Sequence, residues 1–106
     1  MIRLAIFLSL ILVAGPVSSA LSQDIAAGEA RYKKTCINCH GPAGKGAASY
    51  PKVSGKDIPY TIEKLEAYRS KVKQGPNSAL MFMMAKPLSD EEILNLAAYL
   101  KDAEHK

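Results

Sequence analysis

Cys36, Cys39 and His40 stand in one short string, Cys36-Ile37-Asn38-Cys39-His40, which holds both cysteines and one of the two histidines of the 106-residue chain. Two thiols and an imidazole at this spacing have four chemistries open to them: a disulfide, a dithiol redox pair, part of a metal site, or covalent attachment of an iron porphyrin. The C-x-x-C-H order favours the last. In a helical turn positions i, i+3 and i+4 share a face, so both thiols can reach vinyl groups of a haem while the imidazole is directed at its iron. The rivals ask for more than the chain offers. A dithiol redox site belongs in alternating strands and helices, and no segment here has a strand pattern. Structural zinc needs a fourth ligand, and only His105 remains, next to the C-terminus. A disulfide gives His40 and the methionine-rich segment no role.

A haem iron that only passes electrons is closed on both faces, which calls for a second ligand far along the chain. Methionine is the natural candidate, because thioether ligation favours ferrous iron and raises the reduction potential relative to a second imidazole. Met81, Met83 and Met84 lie together before the last expected helix, in a stretch from Gln74 to Pro87 that reads as irregular. At least two of them are expected to be core filler, a common use of methionine.

Elements must hold these groups. With 48% apolar residues, 14 Lys+Arg against 10 Asp+Glu, 7 Gly and 6 Pro, the composition is that of one small domain and excludes collagenous, low-complexity or disulfide-dense chains. Residues 1–20 read as an export leader: Arg3, an apolar run from Leu4 to Ala14 broken only by Ser9, then Gly15-Pro16 and small residues. Cleavage is expected after Ala20, with Ser22 as the alternative, leaving a domain over 21–106. The apolar run falls short of the roughly 18 residues of a membrane span and Gly15-Pro16 interrupts it, which disfavours the alternative of an uncleaved anchor, and no stable membrane insertion is expected once the leader is cleaved. Losing the leader removes one positive charge from the formal net of +4, and no nucleic-acid partner is expected. The remaining chain of about 85 residues buries too little surface for a secure core, so a prosthetic group is a fitting supplement.

The domain is expected to be all-α. Asp24 caps a first helix that runs to Cys36, with Gly28 and Tyr32 on one face. A middle helix starts at Pro59 and ends at Gly75-Pro76, with Ile62, Leu65, Tyr68, Arg69 and Val72 as its stripe. Ser89-Asp90-Glu91-Glu92 is a capping box that opens a last helix burying Ile93, Leu96, Ala97 and Leu100. Gly41 to Lys56, rich in Gly and Pro, is a loop long enough to wrap around something.

In order, the chain then offers Cys36-Ile37-Asn38-Cys39-His40-Gly41-Pro42-Ala43-Gly44, Tyr50-Pro51-Lys52-Val53-Ser54-Gly55, the helix from Tyr60 to Gly75, the methionine segment, Leu88-Ser89-Asp90-Glu91-Glu92-Ile93 and Leu96-Ala97-Ala98-Tyr99. This series resembles the small class I c-type cytochromes of the bacterial c553 and c4 type over nearly all of the processed sequence. The resemblance implies a class I cytochrome c fold, three main helices and short turns around one covalently bound haem c. It selects Met81, seven residues before Leu88, as the axial partner of His40, with Met84 in reserve. It makes Pro51 the residue whose carbonyl accepts the His40 Nδ1–H, and it crosses the first and last helices at Gly28, Tyr32, Leu96 and Tyr99. Lys56, where relatives often have Gln, and Pro76, where many have a basic residue, depart from the pattern. Lys52 or Lys56 is the candidate to pair with a propionate.

The expected function is electron transfer by an exported, periplasmic monohaem cytochrome that performs no bond chemistry. The alternative is a small haem c subunit of a larger periplasmic oxidoreductase. Redox proteins would dock transiently at the haem edge, where Lys45, Lys52, Lys56 and Lys86 could steer an acidic partner.

Overall fold

The computed structural model describes residues 22–105 together with Ser9 and Ile11. The expected leader and its cleavage after Ala20 otherwise lie outside the described residues. Among those described the chain is all-α and has no strand. A first helix runs as α1 (Ile25–Arg31), a π-turn (Tyr32–Cys36) and α2 (Ile37–His40), followed by a short 3₁₀ turn (Pro42–Gly44). Then come α3 (Ile58–Arg69), α4 (Ser78–Ala85), α5 (Asp90–Asp102) and a closing 3₁₀ turn (Ala103–His105).

The core sits where α1 crosses α5. Gly28 is buried because a Cβ there would meet the Asn95 carbonyl oxygen at 2.0 Å and the Tyr99 Cβ at 3.0 Å, so the backbones touch as only glycine allows. One turn on, the fully buried Tyr32 ring tilts against Tyr99 with centroids 5.5 Å apart. Both helices begin as their sequences dictate. Asp24 accepts from the Ala27 amide, and Ser89 and Glu92 complete the capping box reciprocally. Asn95, in the second turn of α5, holds the start of α1, its Oδ1 accepting from the Asp24 amide at 2.8 Å.

Two segments differ from expectation. The middle helix stops at Arg69, well before Gly75, because Lys71 takes the left-handed conformation (φ 59°) while its amide bonds Tyr68 and that of Val72 bonds Ala67. This is a Schellman ending with lysine in the place glycine usually fills, and it leaves Val72 exposed beyond the helix. Arg69, placed on the apolar stripe, instead reaches from the helix end to the Leu88 carbonyl and to Asp90. The stretch Gln74 to Pro87, read as irregular, contains α4: no glycine or proline interrupts Ser78 to Ala85, and Leu and Met are good helix formers.

Candidate functional site

The helix that docks on α5 also carries the cysteine string. Cys36 at the end of the π-turn and Cys39 and His40 of α2 line a cavity of about 760 Å³, whose wall also includes Met81 and Met84 of α4. Met83 is off that wall and exposed. Cys36 and Cys39 are not joined to each other. Burial pushes the Cys36 thiol up, against the opposing pull of the Thr35 hydroxyl and the Arg31 guanidinium. A thiol held protonated in this way is unlike the activated thiolate of a dithiol oxidoreductase.

His40 is fixed from several directions. Its Nδ1 lies 2.8 Å from the Pro51 carbonyl oxygen, its ring meets Tyr50 edge-on, and its own carbonyl accepts from the Gly46 amide at 2.8 Å. Gly41 ends α2 with φ 77°, a left-handed turn that sends the loop back under the imidazole. The Tyr32 hydroxyl donates to the Gly41 carbonyl from inside the core, and burial pushes its pKa up to about 12. The loop closes on the C-terminal end of the chain, where the Gly55 amide bonds the Leu100 carbonyl of α5 and Lys52 pairs with Glu104 of the last 3₁₀ turn at 2.9 Å.

The structure therefore brings Cys36, Cys39, His40, Pro51 and Met81 to one place. Of the lysines expected around the site, Lys52 and Lys56 line the cavity; Lys45 and Lys86 do not. Sequence reading missed Thr35 and Lys64, which also line it. Thr35 accepts from Arg31 across one helical turn, a link that the i, i+4 spacing offered, and Arg31 in turn holds Glu92 at 2.9 Å, which spacing could not reveal.

A covalent haem fits these residues. The cavity lies within the roughly 300–1,000 Å³ of small-molecule sites, both thiols and an imidazole with a committed Nδ1 face it, and its other walls include Leu65, Leu88, Leu96 and Leu100.

Comparison with known proteins agrees. The family profile described as cytochrome c matches residues 25–104. Cytochrome c-554(548) of Halomonas halodenitrificans is 44% identical over 82 residues, which cover 76% of this chain and 98% of that protein. Among solved structures, a cytochrome c4 of Acidithiobacillus ferrooxidans superposes with a TM-score of 0.68 at 25% identity, over 79% of this chain and 52% of that one. A thiosulfate dehydrogenase of Marichromatium purpuratum superposes with a TM-score of 0.69 at 32% identity, over 77% of this chain and 20% of that one. The chain thus spans nearly the whole halophile protein, about half of the c4 chain and a fifth of the dehydrogenase chain.

Proposed function

The chain belongs to the cytochrome c family, and from that premise we propose that Cys36 and Cys39 are its thioether anchors, His40 and Met81 the axial ligands, and Pro51 the acceptor that orients His40. The protein carries one covalent haem c and is an electron carrier, not an enzyme. When bound, the haem supplies an iron that takes up and releases one electron.

The protein's part is to hold and insulate. The observation that carries the assignment is the 2.8 Å contact between His40 Nδ1 and the Pro51 carbonyl. It places the ring proton on Nδ1, leaves Nε2 free as the ligand nitrogen, and makes the imidazole a better donor. Met81 is favoured over Met84 because it is half-buried on the cavity wall whereas Met84 is 42% exposed. The leucines of α3 and α5 keep water from the site.

Export of the processed chain to the periplasm is supported by the sequence of residues 1–20, and no helix of the described residues is long and apolar enough to cross a membrane. Its partners on this reading are redox proteins met transiently at the exposed haem edge. A second reading, a dedicated haem subunit of an oxidoreductase, is favoured by the likeness to part of a thiosulfate dehydrogenase chain; co-purification at fixed stoichiometry tells the two apart.

The ligand assignment is tested by Met81→Ala and Met84→Ala in the holoprotein. The first is expected to keep the covalent haem, lose the methionine sulfur-to-iron charge-transfer band and lower the reduction potential, while the second keeps the band. The reverse result would make Met84 the ligand. An intact mass of the exported protein equal to residues 21–106 plus one haem checks the leader at the same time.

A further inference from the structure

The charge on the cavity wall is one-sided. It carries three lysines, Lys52, Lys56 and Lys64, and no aspartate or glutamate. Lys52 is neutralised by Glu104. Lys56 and Lys64 have no carboxylate within ion-pair distance among the described residues. Both instead bring Nζ to the Tyr60 ring, 5.7 and 5.5 Å from its centroid. Lys56 comes from the loop before α3, while Tyr60 and Lys64 are one turn apart on α3 itself. Gln74 Nε2 donates to the Lys64 carbonyl at 3.0 Å, which ties this turn to the segment leading into α4.

Two ammonium groups gathered about one ring repel each other, and a cation–π contact at an exposed tyrosine offsets little of that. The arrangement gains most when an anion sits between them. Like charges at one end of an otherwise largely apolar cavity are complementary to a guest with an apolar body and one anionic edge.

We propose that Lys56, Tyr60 and Lys64 form the carboxylate-receiving end of the cavity, where the two ammonium groups pair with the propionates of the haem. This rests on the haem reading and adds the direction in which the group sits. It moves the propionate contact away from Lys52, which Glu104 already holds, and adds Lys64, a residue the sequence did not single out. Cations at that edge favour the state with one more electron, so the pair raises the reduction potential. Lys64 is half-buried and Lys56 exposed, so salt screens the Lys64 part of the effect less than the Lys56 part.

The test uses the holoprotein and its Lys56→Gln, Lys64→Gln, double and Lys64→Arg variants. Lys101→Gln, on the exposed last turn of α5 and off the cavity wall, serves as the control. Midpoint potentials are measured at low and high ionic strength. The double variant is expected to lower the equilibrium constant for electron uptake about tenfold, about 59 mV for one electron. The single variants should each give part of this, and Lys64→Arg should keep the original potential. At high salt the Lys64→Gln shift should persist better than the Lys56→Gln shift. A double-variant shift at low ionic strength no larger than that of Lys101→Gln overturns the proposal. Absorbance and intact mass of the unsubstituted holoprotein, taken alongside, test the haem reading separately.

Discussion

The crossing of α1 and α5 and the wall formed by α3 and α4 are built to different standards. At the crossing, Tyr32, Ile93 and Leu96 have lost essentially all contact with solvent, a glycine permits backbone contact, and both helices start with side-chain caps. On the wall, Leu65, Tyr68 and Met81 are only half-buried, while Tyr60, Leu80 and Met84 are exposed. Neither α3 nor α4 has a side-chain cap, and α4 has no charged residue to face water. An eight-residue helix of that composition is marginal alone and draws its stability from what packs on it. The contrast separates the half that the polypeptide completes by itself from the half that the haem completes.

Removing the anchors is the strongest way to break that contrast. Cys36→Ala with Cys39→Ala should yield a chain without covalent haem, with reduced helix content and no cooperative thermal transition, read by intact mass and circular dichroism. A cooperatively folded, colourless protein would mean that the wall needs no guest. Gly28→Ala attacks the other half. Its new Cβ would lie 2.0 Å from a backbone oxygen, which no side-chain rotation relieves, so the helices must part. A loss of about 3 kcal/mol is expected, a drop of roughly 12–24 °C in Tm for a domain of this size, with the haem still attached. A much smaller drop would show slack at the crossing.

What could be read from sequence follows the same division. The capping box at Ser89, the N-cap at Asp24 and the cysteine string are local patterns whose geometry is set within one or two turns, and the first two stand in the structure as read. The crossing at Gly28 and Tyr32 came from family resemblance, since periodicity shows that a face is apolar without saying what covers it. The end of α3 was misplaced because the signal sought was a glycine, while Lys71 accepts the left-handed turn at a steric cost. Helix α4 was missed because a helix coated by apolar residues on all sides has no polar face to give a period. The Lys56, Tyr60 and Lys64 cluster was half legible: the i, i+4 pair is in the sequence, but Lys56 joins it only through the path of the loop.

The smallest effect probes the crossing through its charges. Glu92 accepts from the Ser89 amide and pairs with Arg31, and these hold its carboxyl below the ordinary carboxylate range, the Ser89 hydrogen bond first. A carboxylate whose pKa is lower folded than unfolded stabilises the fold fully above the unfolded value, about 4.3 for glutamate, and loses that contribution as pH falls through the folded value. Glu92→Gln keeps a capping-box side chain and removes only the charge. Its Tm should therefore lie slightly below that of the original protein at pH 7, and the gap should close as both are taken below about pH 4. Glu92 is absent from the cavity wall, so the reduction potential at pH 7 should stay nearly where it was. A potential that moved more than the Tm did would mean that the two halves are electrostatically coupled through Arg31 and Thr35, and that the capped crossing also sets the electrical environment of the haem.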